Sequence, residues 1–372
     1  MQIRSIDLYL VALPLKRRLP GPAGVEERLE TVLVRLGAGD AFGWGEASPG
    51  TAPRTGSEWA GGSLAVLKNW LGPAVLGATL EKSQPPGDKL TAWRGNQHAK
   101  AALDMAWWDL LARRADKPLH QFIGGAVSQV EVGASLDQMD SPEEFMRAVD
   151  EVAGAGFSRI KFKFRPGWEL NMLSAVHREL AGPTLHVDCE GQLTLGQTDI
   201  LYRLDDFHLS MVEQPLADYD LVAHAMLQES IRTPICLDES ITLLEHAEIA
   251  VDLKSCQFFN LKPGRVGGLS AALRLHDFTH EHCTPCFAGA APQSAIGARH
   301  YLALGTRPNC TYAADYFPAD RYLADDVAPP LLPARSETDG RQYITLDSSA
   351  GIGVEPDVAA LERLTIEHVR IG

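Results

Sequence analysis

Long apolar runs are missing from this chain. No stretch approaches the roughly 18–20 consecutive apolar residues of a membrane helix, which argues against a membrane partner. The start, MQIRSIDLYLVALPL, is too interrupted for a signal-peptide core. It alternates apolar with polar residues and carries Arg4 and Asp7, so it reads as a strand, and a cytoplasmic location is expected. Positive charge is in short supply as well. Lys and Arg number 34 against 48 Asp and Glu, and a net charge of −14 argues against nonspecific binding to nucleic acid or anionic lipid. Cysteine is sparse: six in 372 residues do not make a disulfide framework. Cys283 and Cys286 form a CxxC with His280 and His282 upstream, but no second ligand pair follows at zinc spacing, so reduced thiols are expected. No GxGxxG or phosphate-binding loop opens a helix, which weakens a nucleotide-binding reading.

What is present is an ordinary globular composition, 45% hydrophobic and 22% charged, in a chain long enough for a barrel and an accessory domain. Residues 1–15, 28–37 and 41–47 read as strands of an antiparallel sheet, with Gly37 and Gly39 supplying turn chemistry. Between the first two, KRRLPGPAGV (16–25) reads as a Pro/Gly loop, either a passive connector or a lid. Helices are expected over 57–80 and 98–115, with a loop at 83–88. Ser141-Pro142-Glu143-Glu144 is a well-formed helix start. From about residue 129 strand and helix patterns alternate. Candidate strands at 131–136, 159–164, 185–190, 209–214, 234–239, 257–262, 284–289 and 309–314 favour a closed parallel barrel over an open sheet. The tail is Pro-rich over 327–333 and then reads as a hairpin or short strands around 341–346.

Within that repeat, Lys163, Asp188, Glu213, Asp238 and Lys262 follow one another at intervals of about 25 residues, each at the end of a short apolar run. One such interval fits one strand, one helix and two loops, and in a parallel barrel the C-terminal strand ends share one mouth. Lys161 and Lys163 lie two apart on a strand and so share a face. Repulsion between their ammonium groups, together with burial, is expected to lower a lysine pKa toward neutrality, where it can serve as a base. Asp188, Glu213 and Asp238 are hard oxygen donors, too few for a calcium cage and suited to Mg2+, with Mn2+ as a substitute. The five tips are expected to converge within bonding reach of one cation. Lys262 would then face Lys163 across the cavity. A carboxylate substrate held there loses its α-proton to one lysine, the enediolate being stabilised by the cation.

The segments IKFKFRPGW (160–168), VEQP (212–215), TPICLDES (233–240) and NLKPGRVGG (260–268), with GWGE (43–46) and the helix over 100–109, resemble the muconate-lactonising subgroup of the enolase superfamily. Within it they are most similar to o-succinylbenzoate synthases and N-succinylamino acid (N-acylamino acid) racemases. The resemblance runs over nearly the whole chain. It implies an α/β fold, a modified TIM (β/α) barrel under an N-terminal α+β capping domain. The capping domain is placed at 1–120, the barrel at 121–325, and a segment returning to the cap at 326–372. It also implies Lys161, Lys163 and Lys262 as catalytic residues, and Asp188, Glu213 and Asp238 as magnesium ligands. Glu190, Glu239, Ser240, Asn260 and Gly289 stand as supporting or substrate-contacting candidates. The loop over 16–25 would cover a small-molecule carboxylate substrate, and homo-oligomerisation is left open.

The implied activity is that of a carbon–oxygen lyase, o-succinylbenzoate synthase, a hydro-lyase of menaquinone synthesis. Racemisation of N-acylamino acids or epimerisation of dipeptides is the alternative, and a catalytically silent metal-binding homologue the second. Two departures bear on the substrate. Relatives usually read Asp-Ala-Asn where this chain has Asp188-Cys189-Glu190, which adds negative charge beside the cation. The seventh-strand end, usually Gly-Met-Ile-Glu-Ser/Thr-Gly, is here GAAPQSAIG (289–297), which lacks the glutamate and is longer.

Overall fold

A computed structural model describes residues 2–21, 24–53, 56–79, 81–82, 85–137, 139, 141–164, 169–179 and 182–372. Three strands, β1 (Ser5–Gly21), β2 (Gly24–Ala38) and β3 (Ala41–Ala47), form an antiparallel meander. Gly39, at φ 68°, supplies the positive φ that a two-residue β2–β3 turn requires. The expected loop over 16–25 is corrected here. Backbone pairing breaks between Pro14 and Leu19 and then resumes, with Leu19 opposite Glu26, Pro20 opposite Val25 and Gly21 opposite Gly24. Proline and glycine are tolerated there because the ribbon is a two-stranded extension, where proline deprives no second neighbour of a hydrogen bond. Residues 22 and 23, and the side chains of 17–25, lie outside the described residues. The base of the ribbon is tied down: Leu15 bridges to Leu323, and the Ala324 N–H donates to the Pro14 carbonyl at 2.8 Å.

Against this sheet lies the helix Gln97–Arg114, drawn in by small residues on both sides. A Cβ at Gly45 would stand 2.1 Å from the Ala102 carbonyl oxygen, and one at Gly43 2.3 Å from that of Ala106. Backbone cannot yield as a side-chain tip can. Gly45→Ala is therefore expected to destabilise the fold by about 3 kcal/mol, at the upper end of ordinary overpacking, read from the shift of the urea midpoint. The helix expected over 57–80 runs from Ala60 to Val75, with a π stretch at Leu67–Leu71. Pro73 accounts for the widening, since its ring crowds the carbonyl one turn back and it has no N–H to donate.

The second sheet is built from β4 (Gln129–Leu136), β5 (Arg159–Lys163), β6 (Thr184–Asp188), β7 (Met211–Glu213), β8 (Ile235–Leu237), β9 (Phe258–Leu261), β10 (Cys286–Ala288) and β11 (Ala314–Asp315). Neighbours from β4 to β10 pair in parallel. β11 pairs in parallel with β4, and Cys286 bridges to Cys310 just before β11, so the eight strands close on themselves. Helices alternate with the strands; the one opening at Pro142 is capped by Ser141 Oγ, which accepts from the Glu144 N–H at 3.1 Å. The chain is thus an α/β protein, a modified TIM barrel under a capping sheet and helix. After β11 the tail divides. β12 (Ala334–Arg335) and β13 (Gln342–Thr345) form a hairpin on the outer start of β4, and β14 (Thr365–Ile371) joins the edge of β1. Among the described residues no helix is long and apolar enough to cross a membrane.

Buried carboxylates from the cap fasten it to the barrel. Glu46 accepts from the Ser294 and Gly297 N–H groups at the start of helix Ala295–Leu304. Asp104 accepts from Ser270 N–H at 2.8 Å and Ser270 Oγ at 2.5 Å, at the start of helix Leu269–Glu281. Both use the positive end of a helix dipole. Burial pushes the Asp104 carboxyl up to about 6, although the Ser270 hydrogen bonds hold it down. The folded state therefore binds this proton more tightly than the unfolded chain, so the stability it confers is present at low pH and is lost as pH rises through about 6. Relative to the native chain, Asp104→Asn is expected to gain roughly 2 kcal/mol of stability between pH 4 and 7, measured by urea unfolding at both values.

Candidate active site

The strand ends bring the expected residues to one mouth. Lys163, Asp188 and Glu213 are the last residues of β5, β6 and β7; Asp238 directly follows β8, and Lys262 directly follows β9. Parallel pairing sets Lys163 beside Asp188 and Asp188 beside Glu213. Strands β5 and β9 stand four places apart in a ring of eight, so Lys163 and Lys262 rise from opposite walls.

Lys161 is buried at the centre. Its Nζ lies 3.0 Å from Asp315 Oδ2, 3.2 Å from Glu213 Oε2 and 3.4 Å from Asp188 Oδ2. Lys163 Nζ donates to Asp188 Oδ2 at 2.8 Å and to Glu190 Oε1 at 2.5 Å. Opposite, Lys262 Nζ donates to Asp238 Oδ2 at 2.6 Å, and Arg265 pairs with Asp238 Oδ1. Glu213 accepts from Asn260 Nδ2 at 2.7 Å and lies 2.7 Å from His186 Nε2. Gly289 is needed for the Asn260 contact: a Cβ there would stand 1.8 Å from Asn260 Oδ1 and 2.7 Å from Lys262 Cγ. Ser240 is buried, its hydroxyl accepting from Gln214 Nε2 at 2.7 Å.

The lysine expectation is corrected. Burial works against the charge on Lys161, but Asp315, Glu213 and Asp188 outweigh it, and its pKa is raised well above the ordinary value. Lys163 and Lys262 are raised as well, against burial, chiefly by Asp188 and Asp238 respectively. Lysine–lysine repulsion is real but smaller than the attraction of the carboxylates. Those carboxylates respond in kind: Asp188 and Asp238 are held below the usual range despite burial. Glu239 goes the other way. Burial, followed by the charge of Asp238, pushes it up to about 8, and its Oε2 is buried with no hydrogen-bond partner among the described residues.

Among the described residues, no group of three or more His, Cys, Asp or Glu side chains stands close enough together to hold a metal ion. Asp188 and Glu213 turn to the Lys161 ammonium, and Asp238 to Lys262 and Arg265, instead of to one another, which is where the expected convergence on a cation departs from the structure. The residues nonetheless fit a divalent cation. Hard oxygens rise from three neighbouring strands, and Glu239 carries a buried carboxylate oxygen that no group among the described residues satisfies.

Sequence reasoning missed Asp315, Arg159 and Arg265. Asp315 ends β11 as the other carboxylates end their strands, and Arg159 Nη1 donates to it at 2.8 Å. The strand expected over 309–314 stops one residue short of it. Arg265 lay in the quoted NLKPGRVGG, three residues after Lys262 on the one-turn helix Pro263–Val266.

Residues 144–360 match the family described as enolase C-terminal domain-like, and residues 6–124 match the mandelate racemase / muconate lactonizing enzyme N-terminal domain. The chain belongs to the enolase superfamily, in its mandelate-racemase/muconate-lactonizing subgroup. It is 36% identical over 366 residues to an N-succinylamino acid racemase of Thermus thermophilus, covering 98% of each chain. It is 35% identical over 366 residues to an o-succinylbenzoate synthase of Geobacillus stearothermophilus, covering 98% of this chain and 96% of that one. Among solved structures, an enolase-superfamily member from Enterococcus faecalis V583 superposes with a TM-score of 0.92 at 30% identity, covering 100% of this chain and 99% of the other.

Proposed function

We propose that the chain removes the α-proton of a carboxylate substrate in a magnesium-dependent reaction. The single observation that carries this reading is the placement of Lys163 and Lys262 on opposite walls of one mouth, each against a carboxylate. Asp188, Glu213 and Asp238 would hold the divalent ion. When bound, that ion supplies positive charge against the substrate carboxylate and competes with the lysines for their carboxylates. Lys163, the more accessible lysine of its pair, then serves as base on one face of the substrate. Lys262 faces the other side and either stabilises developing charge or returns a proton. Lys161 stays charged at the floor, bridging Asp315, Glu213 and Asp188, and Asn260 orients Glu213.

The first specific reading is o-succinylbenzoate synthase, in which Lys163 removes the α-proton of a cyclohexadiene acid and then protonates the departing hydroxyl. The second, N-succinylamino acid racemisation, is favoured by the matched engagement of the two lysines, which suits proton exchange on both faces. Chromatography of the cyclohexadiene acid and polarimetry of an N-succinyl amino acid, each with magnesium, separate the two. Dehydration without racemisation supports the first; racemisation without dehydration supports the second. In either case excess chelator is expected to lower turnover at least a hundredfold, since charge stabilisation of this type is worth several kcal/mol. Turnover that survives chelation would remove the ion from the reading.

A further inference from the structure

The loop from Asp238 to Thr242 carries a proposed ion ligand, Asp238, and the unsatisfied carboxylate of Glu239. Its backbone is pinned at nearly every polar group. Arg265 Nε donates to the Ile241 carbonyl at 3.0 Å, Gln97 Nε2 to that of Thr242 at 3.0 Å, and His246 Nδ1 lies 3.1 Å from that of Ser240. The Ile241 N–H donates to the Asp238 carbonyl and the Thr242 N–H to His246 Nδ1, and two further N–H groups fall to one side chain. Gln214 Oε1 accepts from the Asp238 N–H at 3.0 Å and the Ser240 N–H at 3.2 Å. Its Nε2 donates to Ser240 Oγ at 2.7 Å and to the Leu216 carbonyl at 3.0 Å. All four valences of the amide are used, and the side chain is fully buried.

Gln214 is also the next residue after Glu213, and its backbone is unusual. At φ 38° it occupies the left-handed region, which a non-glycine residue adopts only when its surroundings compel it. Its N–H donates to the Cys236 carbonyl at 2.8 Å, so the turn itself is stitched to β8. One residue is thus joined covalently to one proposed ligand and by paired hydrogen bonds to the loop of another. We infer that Gln214 is a positioning residue that sets the separation of Glu213 and Asp238 before any ion arrives. This inference rests on the divalent-ion reading of the site. A carboxylate free to turn about its strand end would have to be ordered at the moment of binding, and affinity would fall accordingly.

The test is Mn2+ uptake by calorimetry on the full-length chain, without substrate. Gln214→Met keeps the volume and removes all four hydrogen bonds; Gln214→Glu keeps the two acceptor bonds and loses the two donors. Thr31→Val is the control, deleting a buried hydroxyl of the capping sheet that donates to Glu46 and Ala47 and has no bond to Gln214 or its loop. Gln214→Met is expected to weaken Mn2+ binding by about 10- to 100-fold, Gln214→Glu by less, and Thr31→Val not at all, although it lowers the melting temperature. If Gln214→Met does not fold, a weakening of several-fold in Gln214→Glu carries the same conclusion. Native affinity in the folded Gln214 variants, or equal weakening in Thr31→Val, overturns the assignment. No Mn2+ uptake by the native chain instead overturns the ion reading beneath it.

Discussion

Replacing Lys163 by alanine is expected to lower turnover by about 10²- to 10⁴-fold, the usual worth of a positioned base, while the chain still folds and still takes up a divalent ion. The side chain lies at the mouth, partly exposed, and its recorded partners are Asp188 and Glu190. Removing it opens no core cavity. It also removes the nearer of the two ammonium groups on Asp188 Oδ2, leaving Lys161 at 3.4 Å, so ion affinity should hold or tighten. Steady-state rates set beside a Mn2+ titration would show the dissociation of the two effects. Turnover within tenfold of native would take Lys163 out of the role of base. Loss of both turnover and ion binding would make it structural.

The second large effect is expected from the smallest side chain at the mouth. Gly289→Ala places a methyl group where Asn260 Oδ1 and Lys262 Cγ already stand. Both must move. Asn260 is then expected to release Glu213, and Lys262 to shift from its place opposite Lys163. A displacement near 1 Å at the reacting centre costs about a hundredfold in rate. The barrel itself should survive, because Gly289 lies past the end of β10 and its N–H still donates to Leu261. The expected result is a rate lowered about 10²-fold with a melting temperature within a few degrees of native. An unchanged rate would mean that Lys262 does not need its present position.

The residues legible in the sequence were those that closed a local pattern. Lys163, Asp188, Glu213, Asp238 and Lys262 each end an apolar run, and a repeat of one βα unit maps such ends onto a single mouth. What stayed hidden depends on tertiary neighbours. Asp315 carries the same signature, but its strand is two residues long and its run was read as closing at Ala314. Arg265 and Gln214 act through a loop that only folding brings beside them. The ribbon over 16–25 misled because proline and glycine report local backbone preference, whereas its pairing is decided by the strand opposite. The lysine charge state misled for a related reason: the pair Lys161 and Lys163 is visible in sequence, but the count of carboxylates around it is not.

Proton exchange is the direct test of the central claim, that two opposed lysines and a cation-binding set of acids act on one carboxylate. The native chain would be incubated in heavy water with magnesium and a panel of carboxylates that includes both enantiomers of an N-succinyl amino acid and the cyclohexadiene acid, followed by proton NMR. The account predicts loss of the α-proton signal from at least one of them, and arrest of that loss by chelator. No exchange across the panel, or exchange indifferent to chelator, would contradict it.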